Sequence, residues 1–522
     1  MDEPGNLSVT TDHRVSALVS TIALGVLLIL GLTPLGLLLV QALSSGGASA
    51  GAFASGRALT LLGRSLTIAA GSTTVAMVLG SVVGLLLARI AVVGRALILL
   101  ALFVVFSISP YVLALGWLGG RLDSTAAGWM LGRPEAVVWV LGTALSPLAA
   151  LLVYGAARRQ PLSAEEAGFL FAPPWTAVRR ISMRGLLPAF VVVATLVFSI
   201  SLSDYAVASL LQVPTYPVEV FLYYAGSFDP LAAARACLPL VLCGIVLSAV
   251  LAPLLPRLWL RRQAPTPART WPLTRTARRV TTAVLFAVLA LVLVLPWLRI
   301  LTGMPGLQAG RRAVAGGFDA IANSILLSVL AALLTLCLAW PASGRLVRGP
   351  TWRRAGLAVL LLVPLFVPAS AFGISWVETA NRWGLTAGRL GLLAPALCLA
   401  ARLGGATALF LAGVRLSLPL ETMEAALVFE GNPVRRWFWI ELPMLLPYLA
   451  AVFGVLVALD LNAVDLLVLT VPAGYEILPL RIDNLMHYGL PEEASVLALV
   501  AGSLAAGPIL VGAGIHRMLK AC

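Results

Sequence analysis

The sequence is poor in the residues that most catalytic and metal sites require. It contains three histidines and five cysteines among 522 residues, and lysine occurs once, at Lys520. A phosphate-binding P-loop needs a Gly-Lys-Ser/Thr sequence, so this chain cannot be its own conventional ATPase. The cysteines show neither a disulfide framework nor metal-ligand spacing. We therefore expect no enzyme activity, no metal site and no cofactor in this chain.

Charged residues are scarce as well. They make up 11% of the chain and hydrophobic residues 60%, whereas about a quarter of a soluble globular domain is charged. Apolar runs of about 20 residues or more recur, and each can cross a hydrocarbon core of about 30 Å as a helix. Runs of this length without alternation favour helices over a β-barrel. The composition predicts an all-α polytopic membrane protein in contact with the lipid bilayer.

The formal net charge of +14 has a source in the loops. No RNA-binding or DNA-binding motif accompanies it, so we expect no nucleic-acid partner. Cytoplasmic loops of membrane proteins carry an excess of basic residues, which explains such a charge. The segment 257–279 has seven arginines, several prolines and no acid. It is predicted to be a cytoplasmic linker.

The apolar runs predict about twelve transmembrane helices, six on each side of the linker. The first six are 15–43, 60–89, 95–119, 135–157, 186–211 and 234–256; the second six are 280–301, 320–344, 355–378, 391–414, 445–470 and 493–515. This plan predicts a first six-helix half at 1–256 and a second at 280–522. Because six is even, the halves have the same orientation and both termini are predicted to be cytoplasmic.

One constant offset relates the two halves. Adding 259 converts Ser65 to Ser324, Trp117 to Trp376, Glu165 to Glu424, Pro174 to Pro433 and Ile181 to Ile440. We call this the repeat offset. A fixed offset over more than a hundred residues indicates an internal duplication. The predicted arrangement is a parallel repeat about a pseudo-two-fold axis along the membrane normal.

Two polar loops interrupt the apolar runs at corresponding places, 161–188 and 419–443. In the second, Ala425 and Ala426 give a short helix a small face that another protein can approach closely. Gly431 lies in the turn that ends this helix, before a second helix begins. Such a helical knob suits a groove on a soluble partner. The alternative is an ordinary connecting loop that lies on the membrane.

The second loop resembles the EAA motif of bacterial ABC importer permeases, Glu-Ala-Ala followed at set spacings by Gly and Ile-x-Leu-Pro. The matching residues are Glu424, Ala425, Ala426, Gly431, Ile440, Leu442 and Pro443. One position departs from the motif, because Glu430 occupies the family Gly position and the glycine follows it. The resemblance implies a coupling helix that docks in a cleft of a cytoplasmic ATPase subunit, which holds ATP and Mg²⁺.

The first loop is a degenerate copy. Glu165, Ala167, Pro174 and Ile181 stand in register with the second loop, whereas Glu166, Phe171 and Met183-Arg184 replace the family's first Ala, its Gly and its Leu-Pro. We expect the second half to make the stronger ATPase contact.

Six spans per half, with the motif before the last two, is similar to the fused permeases of the iron(III) and thiamine import branch. The segment 481–489 also resembles a stretch of the iron-type permeases. The resemblance implies a type I importer permease in the bacterial inner membrane that takes iron(III) or thiamine from a periplasmic binding protein. Two copies of an ABC ATPase subunit would bind it. A secondary transporter with parallel halves, driven by an ion gradient, is the alternative.

Ionisable side chains at membrane depth are candidates for a transport pathway, because charge is unfavourable there. Asp204 lies on the fifth predicted span, and Asp460 and Asp465 lie on the eleventh. These acids line a substrate pathway or, alternatively, cap and pair near the outer membrane surface. Arg402 is predicted to snorkel or to pair with one of them. Separately, Pro110 and Pro368 are predicted to kink the third and ninth spans.

Overall fold

The fold was obtained as a computed structural model. It describes residues 4–44, 56–118, 129–160, 167–168, 170–171, 176, 178–227, 230–254, 271, 274–302, 306–348, 350–385, 387–418, 425, 428–430, 432–487 and 491–521. All regular elements in these ranges are helical, which confirms the all-α class. Most of the linker 257–279 lies outside them.

The helices before the linker form the N-terminal series. They are α1 (Pro4–Ser44), α2 (Gly56–Arg89), α3 (Arg95–Phe106), α4 (Pro110–Leu118), α5 (Pro134–Arg159), α6 (Met183–Ser203), α7 (Ala206–Leu210), α8 (Tyr216–Ser227) and α9 (Pro230–Leu251). A π-helical turn, Val178–Ser182, leads directly into α6.

The C-terminal series follows the linker. It consists of α10 (Arg275–Leu289), α11 (Leu295–Thr302), α12 (Leu307–Gly316), α13 (Phe318–Leu346), α14 (Thr351–Phe366), α15 (Ala369–Arg382), α16 (Ala387–Leu390), α17 (Leu393–Ser417), α18 (Pro433–Arg436), α19 (Leu442–Leu461), α20 (Val464–Thr470), α21 (Leu478–His487) and α22 (Pro491–Ala521). The π-helical segment Ala290–Val294 joins α10 to α11, and the π-helical turn Trp437–Glu441 leads into α19.

The membrane-crossing helices account for most of the predicted spans. Nine helices in the described ranges are long and apolar enough to cross a membrane, or up to eleven if two bent pairs each count as one span. The protein is therefore a multi-pass membrane protein. The prediction of twelve exceeds this number by one, and α22 covers the remaining predicted span, 493–515.

The two bent pairs are sharper than the predicted kinks. The pair α3 and α4 turns by 94° and the pair α14 and α15 by 96°. Pro110 is the first residue of α4, and Pro368 directly precedes α15. Proline lacks the N–H that continues a helical hydrogen-bond ladder, so a helix ends before it and can restart in another direction.

The predicted spans 186–211 and 445–470 also end earlier than expected. Helix α6 stops at Ser203 and α19 stops at Leu461, and the short helices α7 and α20 then begin. Mostly apolar residues stand on both sides of each stop, so an average hydropathy over the segment does not show where the helix ends.

The two series are interleaved rather than side by side. Helix α1 packs against α13, α14 and α15 of the C-terminal series, and α10 and α11 pack against α2 and α4 of the N-terminal series. The largest buried apolar cluster accordingly includes Val220 and Cys237 together with Phe372 and Cys398.

Helices α2 and α5 approach closely at two glycines of α2. A Cβ atom at Gly80 would press on the carbonyl oxygen of Ser146, and one at Gly84 would press on that of Ala150. Small residues in this spacing let membrane helices pack backbone to backbone.

Substituting Gly84 by valine is expected to force α2 and α5 apart. Overpacking of a tight core costs about 1–3 kcal/mol, so the midpoint of thermal unfolding in detergent should fall. Gly63→Val in the same helix is the matched control, because a Cβ there meets no atom within 4 Å. Equal midpoints for the two variants would contradict the close packing.

Candidate functional site

Four helix ends meet where the two series touch. Two are the bends at 107–109 and 367–368, and two are the stops after α6 and α19, at 204–205 and 462–463. We call this region the central junction. Helix α3 has twelve residues and so rises about 18 Å. This rise is less than the thickness of a hydrocarbon core of about 30 Å.

The end of α6 is tied to the bend of the C-terminal series. The hydroxyl of Ser203 accepts a 2.7 Å hydrogen bond from the backbone N–H of Ala369. One turn earlier, the Ser199 hydroxyl donates to the carbonyl oxygen of Phe366 at 3.3 Å. These bonds pair backbone groups that the bend between α14 and α15 releases from the helical ladder.

The end of α19 makes the reciprocal tie. The Asn462 side-chain amide donates 2.8 Å hydrogen bonds to the carbonyl oxygens of Ser107 and Ala458. Ser107 lies at the bend between α3 and α4, in the N-terminal series. The repeat offset converts Ser203 to Asn462 and Ser107 to Phe366. Each series therefore holds the bend of the other through residues at corresponding positions.

Two of the predicted acids lie together at this junction. Asp204 Oδ1 accepts from the backbone N–H groups of Val207 at 3.0 Å and Ala208 at 3.3 Å. Asp465 Oδ1 accepts from the N–H of Ala206 at 3.1 Å, and these two residues are also related by the repeat offset. The two carboxylates are close enough to interact electrostatically. Asp465 therefore belongs to the contact between the series, whereas Asp204 caps the local backbone at the start of α7.

Arg402 of α17 supplies positive charge beside Asp465. Its guanidinium interacts electrostatically with that carboxylate. It also donates long hydrogen bonds to the Ser203 hydroxyl at 3.4 Å and to the Val367 carbonyl at 3.5 Å. All of these groups are at or near the central junction, so the sequence-based prediction that Arg402 pairs with one of the acids agrees with its position.

Asp460 stands apart from the other two acids. It is 1% exposed, and neither carboxylate oxygen has a hydrogen-bond partner within the described residues. The local structure thus does not explain it as a cap or as an ion-pair partner.

The residues predicted to couple to an ATPase lie partly outside the described ranges. Glu165, Pro174, Glu424, Ala426 and Gly431 fall on positions that the structure does not describe. Of the others, Ala167, Ala425 and Pro443 are exposed, and Ile181, Ile440 and Leu442 are partly buried.

The described fragments of both polar loops present exposed apolar side chains. Leu170 and Phe171 in the first loop and Val428 and Phe429 in the second are 81–89% exposed. The repeat offset converts Leu170 to Phe429. We call these four residues the loop apolar pairs. The sequence analysis missed them, although two adjacent large apolar residues within a polar loop were a visible signal.

The loops lead into the central junction through α6 and α19. The two π-helical turns that precede these helices are related by the repeat offset at both ends, Val178 with Trp437 and Ser182 with Glu441. An ion pair of 3.4 Å between Arg436 and Glu441 spans the second turn. One continuous helical segment therefore runs from the described end of each loop to Ser203 or to Leu461.

Comparison with known proteins assigns no family to the chain. No protein-family model, curated protein or solved structure matches the chain. The site consists of hydrogen-bonding and charged groups on helix ends, joined across two interleaved series. Such an arrangement can change the relation between helices when the loops move.

Proposed function

We propose that this protein is the permease of an ATP-driven importer of the ABC class. The observation that carries the proposal is the pair of polar loops, each presenting two large exposed apolar side chains, with Leu170 and Phe429 at corresponding positions. Adjacent exposed apolar side chains on a polar loop are typical of contact with a protein partner or with the membrane surface. The resemblance of residues 424–443 to the EAA motif identifies that partner as an ATPase subunit.

The chain is, in this proposal, a duplicated permease with twelve spans in two parallel halves. Helices α5 and α17 begin at Pro134 and Leu393, which the repeat offset relates, and the π-helical turns keep the same spacing. The bond from Ala206 to Asp465 joins corresponding positions, as expected close to a pseudo-two-fold axis. Helix α22 is the twelfth span.

Two ATPase subunits bind beneath the two loops, and their closure moves the loops together. Helix α6 has 21 residues and α19 has 20, so each extends about 30 Å from a loop to the central junction. Ser203 and Asn462 then shift the bends of the opposite half. The movement of the loops thus reaches the pathway through the central junction, which residues of both halves hold together.

The substrate is taken up from a periplasmic binding protein and is iron(III) or thiamine, as the resemblance to that import branch suggests. Asp204, Asp460 and Asp465 are placed along the pathway, because intramembrane carboxylates attract cationic cargo. The proposal locates the protein in a bacterial inner membrane with both termini in the cytoplasm.

A secondary transporter driven by an ion gradient is the second candidate. Asp460 favours it, since a buried carboxyl group without a hydrogen-bond partner among the described residues is suited to carry a proton. That candidate gives no reason for apolar side chains at corresponding positions on both polar loops.

The source of energy distinguishes the two candidates. Right-side-out membrane vesicles loaded with ATP are supplied with the binding protein and with labelled iron(III) or thiamine. We expect accumulation that requires internal ATP and persists when a protonophore collapses the proton gradient. Accumulation that stops with the protonophore while ATP remains would contradict the proposal.

A further inference from the structure

A small cavity lies beside the end of α6, among α2, α5 and α6. Its polar lining comes from Ser65, Ser201, Asp204 and Thr215. The space accommodates one occupant of about the size of a water molecule. The cavity is therefore large enough for a single small ion or one water.

Two hydroxyl groups of this lining have no partner within the described residues. Ser201 Oγ and Thr215 Oγ1 are both buried, and each residue is 4% exposed. The Ser65 hydroxyl, in contrast, donates to the Leu61 carbonyl at 3.0 Å and accepts from the Tyr216 N–H at 2.8 Å. Buried hydroxyls without partners are unfavourable, so the two oxygens are available to a ligand.

The cavity has one acidic lining residue, Asp204. Asp204 lies near Asp465, and the guanidinium of Arg402 interacts with Asp465. The C-terminus of α6 adds the negative end of its helix dipole at the same place. The lining therefore combines one carboxyl group with two unpartnered hydroxyls next to a helix C-terminus.

We propose that this cavity binds one monovalent cation of sodium size, with oxygen ligands from Asp204, Ser201 and Thr215. One carboxylate and neutral hydroxyls match a single positive charge, whereas divalent cations usually take more carboxylates. The ends of broken membrane helices are established places for such ions. The cation fixes the end of α6 against the residues around Thr215, and so sets the position of Ser203. This inference goes beyond the proposed import function.

The corresponding place in the C-terminal series does not have the same ligands. At the repeat offset, Ser201 and Asp204 correspond to Asp460 and Ala463. Thr215 corresponds to Ile477, because the next residue in each case donates its N–H to a matching serine, Tyr216 to Ser65 and Leu478 to Ser324. The proposal therefore assigns one cation site to the chain, in the N-terminal series.

The test compares thermal unfolding of the purified full chain in sodium chloride and in choline chloride at equal ionic strength. Binding to the folded state alone raises the midpoint, here by about 2–5 °C at saturating sodium. Ser201→Ala and Thr215→Val should abolish this rise. In choline both variants should unfold at the wild-type midpoint or above it, because each loses only an unpartnered hydroxyl. Binding of radioactive sodium should fall in parallel.

Asp460→Asn is the matched control and should keep the full sodium response. Equal wild-type midpoints in the two salts, without sodium binding, would mean a bound water only and would overturn the proposal. A response lost in Asp460→Asn but kept in Ser201→Ala would overturn it too. Neither measurement involves an ATPase, so its failure would leave the import function standing.

Discussion

The variant Phe429→Asp is expected to lose its ATPase partner and its transport. Phe429 is 86% exposed and belongs to the loop apolar pairs. Aromatic side chains at the centre of an interface are typical hot spots, and losing one weakens binding by about 2–4 kcal/mol. That corresponds to about 30- to 1,000-fold in affinity. Uptake should fall to background while the circular dichroism and melting of the membrane protein stay unchanged.

Two further variants make this result specific. Phe429→Leu keeps an apolar group and should retain most of the ATPase contact. Leu170→Asp, at the corresponding position of the first loop, should weaken the contact less, because that loop is the degenerate copy. Co-purification of the ATPase with Phe429→Asp at wild-type yield would show that the second loop is not the docking site.

The variant Arg402→Met is expected to destabilise the central junction. It removes the guanidinium that interacts with Asp465 and bonds to Ser203 and Val367. Leaving a buried charge without its compensating partner typically costs about 3–5 kcal/mol. Because both side chains are only partly buried, about 2–3 kcal/mol is the expected loss. The measurement is the denaturation midpoint of the purified protein, together with uptake.

The double variant Arg402→Met, Asp465→Asn tests the electrostatic cause. Removing the carboxylate charge as well should restore part of the lost stability, since Asp465 then no longer carries a charge without the guanidinium. Asp204→Asn in place of Asp465→Asn is the matched control and should restore less. Strictly additive effects of Arg402→Met and Asp465→Asn would contradict a direct interaction.

Long helices were predictable because their bounds follow from apolar length. The expected spans 135–157 and 391–414 appear as Pro134–Arg159 and Leu393–Ser417. Each apolar run must satisfy its backbone hydrogen bonds within itself in lipid. No distant residue is needed to decide where such a helix begins and ends.

The central junction could not be predicted in the same way. Pro110 and Pro368 indicated a change of direction, but bends of 94° and 96° require partners for the released backbone groups. Those partners are Ser203 and Asn462, which are distant in sequence from the bends that they hold. The contact of Asp465 with Ala206 is similar, because a duplication implies an axis but not which residues meet at it.

The composition of the native complex tests the central claim most directly. The tagged chain is extracted in a mild detergent from its own membrane together with its bound subunits. The mass of the intact complex is measured by native mass spectrometry, and each bound chain is identified by sequencing. The account predicts one copy of this chain with two copies of a subunit that contains a Gly-Lys-Ser/Thr P-loop, and ATP hydrolysis by that complex. A chain that is recovered without any P-loop subunit, and that still carries out uptake when reconstituted alone with an ion gradient, would contradict the account.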